Sequence, residues 1–75
     1  MRLKVEGVAR YAAVTMCSEG IPLGCPECVD RDVISERAVP VGRLDVEAVD
    51  PTTGKKGMAS VQIRGGSKQD LILWL

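Results

Sequence analysis

The chain has 75 residues, with ten basic and ten acidic side chains and no histidine. A chain of this length makes one small domain, and such domains bury only about 60% of their unfolded surface. The balanced charge argues against a dedicated nucleic-acid binder, because phosphate recognition normally shows as a basic excess. Tyr11 and Trp74 are the only aromatic residues, so the core must be built from Val, Ile, Leu and Ala.

No segment of the sequence points to a membrane. No apolar run approaches the roughly 18 residues that span a bilayer, and residues 1–6 lack the apolar stretch of a signal peptide. We therefore expect a cytoplasmic protein with no membrane partner. In that reducing compartment, clustered cysteines bind metal or carry redox chemistry more often than they form disulfides.

The first predicted element is a long strand with a break. Leu3 and Val5 alternate with charged residues, which indicates a half-buried strand, and an apolar stretch continues to Met16. An unbroken strand over 3–16 would span about 46 Å at roughly 3.3 Å per residue, whereas a domain of this size is about 30 Å across. We therefore predict a bend or bulge at Gly7.

A β-hairpin is the clearest local prediction. Hydrophobic residues alternate with polar ones over 44–48 and again over 59–63, which is typical of two half-buried strands. The segment 50–57 between them indicates a turn, in which Pro51 sets φ and Gly54 supplies a positive φ.

The remaining elements are less sharply defined. The valines of segment 32–41 favour a strand, although a short helix over 30–38 is also compatible with the pattern. The glycines of segment 65–68 predict a turn. The last strand, over 70–75, is apolar on both faces, so we expect it to be central in a barrel or covered by a partner.

These elements predict an all-β fold in a single domain over 1–75. About five short antiparallel strands would form a small barrel or a curled sheet of the SH3-like or OB-like kind. The cysteine loop, over 17–31, would project between the first and second strands because its glycines and prolines disfavour regular structure.

Three cysteines lie within twelve residues, and they are the chain's best candidate for a metal site: Cys17, Cys25 and Cys28. The segment Cys25-Pro26-Glu27-Cys28 resembles one knuckle of a zinc ribbon, although the second knuckle is missing. Zinc prefers four ligands at tetrahedral corners, and thiolates suit it well. The spacing therefore predicts one structural zinc ion, with Asp30 as the fourth ligand.

Several alternatives to this site stay open. The thiols could pair as a disulfide, stay reduced, act as a redox pair or hold an iron–sulfur cluster. Hydrolytic catalysis is disfavoured because three thiolates weaken the Lewis acidity of zinc, and no histidine is present to activate a nucleophile. We therefore expect no enzyme. Other candidates for the fourth ligand are a water, a second chain, Glu19, Glu27 and Asp32.

The C-terminal strand suggests an interaction surface. Trp74 would lie either in the core or at an interface, where tryptophan is enriched. Leu71, Leu73 and their apolar neighbours cannot all be buried in one small barrel, which favours self-association or a protein partner. Lys55 and Lys56 lie on the hairpin turn, and further basic residues lie on the next turn. If the two turns meet at one end of the barrel, they form a basic patch.

The sequence thus predicts a non-catalytic protein-binding or assembly module. It would be a metal-stapled β-barrel that acts through its loops and an apolar edge on another protein or a second copy, a type common among viral and bacterial accessory proteins. One alternative is a zinc-containing barrel that binds nucleic acid. Another is a thiol redox or metal-transfer protein that uses Cys25 and Cys28.

Overall fold

A computed structural model describes residues 1–66 and 68–75, and these residues form β-strands and no helix. The all-β prediction is confirmed, and the alternative of a helix over 30–38 is wrong. No helix long and apolar enough to cross a bilayer is found in this part of the chain. The strands are β1 (Arg2–Glu6), β2 (Tyr11–Ser18), β3 (Ile21–Pro22), β4 (Glu27–Asp30), β5 (Ser35–Glu36), β6 (Gly42–Val49), β7 (Lys56–Ile63) and β8 (Asp70–Trp74).

The strands form two sheets. The three-stranded sheet has the order β5-β1-β8, and the five-stranded sheet has the order β3-β2-β6-β7 with β4 also paired to β2. The predicted closed antiparallel barrel is not found. Strands β1 and β8 pair in parallel, and no ladder joins β7 to β8 in the described residues. Strand β8 is therefore an edge strand, so its predicted central position in a barrel is wrong, and its coverage by a partner stays a prediction.

The predicted break at Gly7 is confirmed. Strand β1 ends at Glu6 in the three-stranded sheet, and β2 begins at Tyr11 in the five-stranded sheet. Gly7 has a φ of 79°, a backbone conformation that residues other than glycine rarely adopt. A Cβ atom added to it would lie 2.5 Å from the carbonyl oxygen of Leu75, so only glycine fits where the chain changes sheets.

The predicted hairpin is also confirmed. Strands β6 and β7 pair antiparallel, with Leu44 opposite Val61 and Val46 opposite Ala59. The turn begins at Asp50, whose backbone N–H donates a hydrogen bond to the carbonyl of Lys55 at 2.8 Å. Alternation places one side of both strands toward the core.

The core lies between the two sheets, and within the described part of the chain it contains no aromatic side chain, so a core position for Trp74 is wrong. It uses Leu, Val, Ile and Ala from both sheets, so burial of aliphatic area holds the sheets together. The buried hydrophobic residues are Leu3, Val5, Val8, Ala12, Val14, Val29, Leu44, Val46, Ala48, Ile63 and Leu73.

The region predicted as an irregular cysteine loop contains regular structure. Cys17 lies in β2 and Cys28 lies in β4, and both strands pair with neighbours. The segment 32–41 forms only the two-residue strand β5. The predicted turn over 65–68 includes Ser67, which lies outside the described residues.

Candidate functional site

The structure does not bring the three cysteines together. Cys28 pairs with Ala13 on β2, whereas Cys17 lies four residues further along that strand, a distance of about 13 Å. A disulfide requires Cα atoms within roughly 7 Å, and a shared zinc ion requires closer convergence still. Asp30 pairs with Tyr11, further again from Cys17.

The predicted zinc knuckle is therefore not seen. In residues 1–66 and 68–75, no group of three or more His, Cys, Asp or Glu side chains is placed to hold a metal ion. All three cysteines are free thiols, half-buried at Cys17 and exposed at Cys25 and Cys28. The physical reason is pairing register, because β2 and β4 hold Cys17 and Cys28 at separate points of one sheet.

The two basic turns do not meet, so they do not form a single basic patch. Lys55 and Lys56 lie where β7 begins, and Arg64 follows its last residue. A strand of 8 residues spans about 26 Å, so the two basic turns lie at opposite ends of the molecule.

Four exposed large apolar side chains lie on the outer faces of β7 and β8 and just before β5. We call them the apolar strip: Ile34, Met58, Ile72 and Trp74. Trp74 is 72% exposed, Met58 75% and Ile72 50%. Ile34 and Ile72 line one shallow groove of about 250 Å³. The strip therefore runs from β7 across β8 toward β5.

The predicted apolar residues of the last strand divide between two faces. Leu73 is 2% exposed and Leu71 is partly buried against the core, so neither belongs to the outer surface. Ile72 and Trp74 take the outer face instead, because adjacent residues of a strand point to opposite sides. The sequence left Trp74 between the core and an interface, and its exposure excludes the core. The sequence prediction missed Met58, whose phase among the polar positions of β7 already indicated an outward side chain.

The strip crosses the line along which the edges of β7 and β8 face each other without a ladder in the described residues, and we call this line the seam. One contact bridges the seam at each end. Near the end of β7, the Gln69 side-chain amide donates to the carbonyl of Gln62 at 2.9 Å, and its Oε1 accepts from the N–H of Arg64 at 2.9 Å. These two bonds place Gln69 opposite the residue between them, Ile63.

The second contact lies at the start of β7. A Cβ atom added to Gly57 would lie 2.9 Å from the carbonyl oxygen of Trp74 and 3.2 Å from Cγ of Leu75. Gly57 therefore lies opposite Leu75. Counting inward from either end gives the same antiparallel register, in which Met58 faces Trp74.

The backbone groups along the seam point toward one another. The hydrogen bond from Asp50 to Lys55 starts the β6–β7 ladder, and alternation then directs the N–H and C=O groups of Met58 and Ser60 away from β6. On β8, the N–H of Leu75 donates to Glu6 on β1 at 3.0 Å. Alternation from Leu75 directs the backbone groups of even-numbered residues away from β1.

Ile72 and Trp74 thus present their backbone groups to the seam. In the described residues, no ladder pairs these groups with Met58 or Ser60. Unpaired backbone groups at a sheet edge are a template for pairing with another chain.

The core is incompletely covered at the seam. Leu3 and Leu44, in the centres of the two sheets, are fully buried. Of the inward-facing residues that border the seam, Ile63 and Leu73 are also buried. Four others are only partly buried against the core: Ala59, Val61, Leu71 and Leu75.

Charges beside β8 are neutralised within the three-stranded sheet. Arg2 donates two hydrogen bonds to the carboxylate of Asp70, at 2.7 and 3.0 Å, and these bonds raise the pKa of Arg2. The Nζ atom of Lys4 lies 2.9 Å from Oε1 of Glu6, and the hydrogen bond between them raises the pKa of Lys4. In the described part of the chain, the cations at the two ends of the seam form no such ion pair: Lys55, Lys56, Arg64 and Lys68.

Comparisons with known proteins yield no relative. No family model matches the chain. Curated proteins and solved structures likewise give no match. The function is therefore inferred from the geometry of the chain itself.

Proposed function

We propose that the chain is a non-catalytic binding module that recognises another polypeptide through the apolar strip. The observation that carries this proposal is the exposure of Trp74 beside Met58, at 72% and 75%. Clustered exposed apolar side chains mark interaction sites, and tryptophan is enriched among residues that dominate binding energy.

The expected contribution of Trp74 is large. Full burial of an indole removes roughly 150–250 Å² from water, which corresponds to about 4–6 kcal/mol of gross transfer free energy. Association entropy offsets part of this gain. Trp74 would therefore act as the anchor, while Met58 adapts its flexible side chain to the partner.

The shape of the surface favours a polypeptide over a small molecule. Small-molecule sites are enclosed pockets of roughly 300–1,000 Å³. The groove beside Ile72 holds only about 250 Å³ and is shallow. A strip across strand edges suits an elongated partner better.

Selection from a random phage-displayed peptide library tests the proposal. Peptides enriched on the wild-type chain are measured against Trp74→Ala and against Ile21→Ala. Ile21 is 66% exposed but lies outside the strip, so it is a matched control. We expect Trp74→Ala to weaken binding by about tenfold or more and Ile21→Ala to leave it unchanged.

Two outcomes would contradict the proposal: no enriched peptide, or equal binding to Trp74→Ala. Circular dichroism shows whether both variants are folded. Sedimentation without peptide identifies a second copy as the partner if a dimer forms and Trp74→Ala dissociates it.

A further inference from the structure

We propose that the seam receives one extended segment of the partner polypeptide, which pairs with both β7 and β8 and carries carboxylates at both ends. The inference rests on the proposed function and specifies the chemistry of the partner. It joins three observations about the seam: the facing backbone groups, the partly buried inner residues and the cations that form no ion pair in the described residues.

The backbone provides the first reason. Met58 and Ser60 present N–H and C=O groups to the seam from one side, and Ile72 and Trp74 do so from the other. An extended segment between them would bond to both strands, which is the strand-addition mode of peptide recognition. The guest would run parallel to one neighbour and antiparallel to the other, and it would join the two sheets.

The inner residues provide the second reason. Alternate side chains of the guest would point inward and cover Ala59, Val61 and Leu71, which are only partly buried in the free chain. The remaining side chains would point outward beside Met58 and Trp74. The apolar strip and the seam thus form one binding surface with an inner and an outer side.

Entry of the guest requires the seam to widen. Neighbouring strands lie about 4.8 Å apart, so a guest needs roughly 10 Å between β7 and β8. The bridging contacts described above are the Gln69 amide at one end and the Gly57 approach to Trp74 and Leu75 at the other. Because no ladder joins β7 and β8 in the described part of the chain, widening breaks few hydrogen bonds there.

The charges provide the third reason. Lys55 and Lys56 lie at one end of the seam, and Arg64 and Lys68 lie at the other, all exposed. The ends are about 26 Å apart, which is the span of roughly eight extended residues. Asp70 beside the seam is neutralised by Arg2, so the ends favour carboxylates in the guest.

The test uses a synthetic peptide with an alternating Val-Thr stretch of about eight residues, the length of the seam, flanked by aspartates at each end. A control peptide carries lysines in place of the aspartates. The protein carries Ser60→Cys and Ile72→Cys in a background of Cys17→Ser, Cys25→Ser and Cys28→Ser, so that oxidation locks the seam shut. Mass spectrometry without reductant confirms the lock, and circular dichroism confirms the fold.

We expect the reduced protein to bind the acidic peptide. The oxidised protein should bind it at least about tenfold more weakly. The lysine peptide should bind weakly to both forms. Equal binding by the oxidised and reduced forms overturns the insertion, and so does equal binding of the two peptides. If that binding still depends on Trp74, the proposed function survives and only the insertion fails.

If the disulfide does not form, a second variant tests whether the peptide inserts into the seam. Gln69→Ala removes one bridging contact, so the seam should open more easily and the acidic peptide should bind more tightly. Gln62→Ala is the matched control, because Gln62 contributes only its backbone carbonyl to that contact. Unchanged or weaker binding by Gln69→Ala contradicts insertion.

Discussion

The carboxylate of Asp50 accepts a hydrogen bond from the backbone N–H of Ala9 at 2.9 Å, and so joins the β6–β7 turn to the link between β1 and β2. The same side chain accepts the N–H of Thr52 at 2.8 Å, which closes an Asx-type turn. Asp50 is fully buried, unlike the other carboxylates of the described residues. It stabilises the point where the chain passes from one sheet to the other.

The first prediction concerns acid stability. The hydrogen bond from Ala9, assisted by those from Thr52 and Thr53, holds the pKa of Asp50 below its usual value against the opposing effect of burial. The folded pKa therefore lies below the unfolded value of about 3.9, so the stabilisation is present above about pH 4 and is lost as pH falls through the folded pKa. Calorimetry should show that the Tm decreases as the pH is lowered below about 4.

Asp50→Asn should lower the Tm at neutral pH and flatten its decline in acid. Some decline should persist, because a hydrogen bond from Ser60 lowers the pKa of Asp45 as well. The control is Asp30→Asn, at an exposed position on β4, which should keep the wild-type profile. A wild-type Tm and pH profile in Asp50→Asn would refute the anchoring role.

The second prediction contrasts two neighbours on β8. Leu73 is 2% exposed in the core, so Leu73→Ala should reduce the free energy of unfolding by about 2–5 kcal/mol. Ile72 lies on the outer face, so Ile72→Ala should change it by no more than about 0.5 kcal/mol. Urea denaturation measures both, and equal losses would show that the strand faces are misassigned.

The third prediction contrasts two glycines with a similar positive φ, Gly7 at 79° and Gly20 at 81°. A Cβ atom on Gly20 would meet no atom within 4 Å, so Gly20→Ala should cost only the backbone strain of about 1–2 kcal/mol. Gly7→Ala must also displace the carbonyl of Leu75, so this variant should lose clearly more free energy of unfolding than Gly20→Ala. Denaturation midpoints compare the two, and a smaller loss at Gly7 would contradict the close approach to Leu75.

The fourth prediction concerns the thiols. Cys25 and Cys28 are exposed and Cys17 is half-buried, so a thiol reagent should modify the first two quickly and the third slowly in the native protein. Equimolar zinc should not protect them, because register separates Cys17 from Cys28. Protection of all three thiols by one zinc per chain would instead support the knuckle predicted from the sequence.

The sequence by itself determined the local elements. Alternation of polar and apolar residues and a turn with Pro51 and Gly54 were enough to predict the β6–β7 hairpin. Gly7 marked the break because strand length and domain size were incompatible without one. These features depend on residues that are close along the chain, and their geometry follows from period-two patterning and allowed φ values.

Only the tertiary structure decided which strands pair and which edges stay open. The apolar stretch of β8 did not reveal that Leu73 faces the core while Ile72 and Trp74 face outward, because both phases of the alternation were apolar. The spacing of the cysteines suggested convergence, yet pairing on β2 keeps Cys17 and Cys28 apart. The physical reason is that partner choice and register depend on competition among all strands for burial, which no local pattern contains.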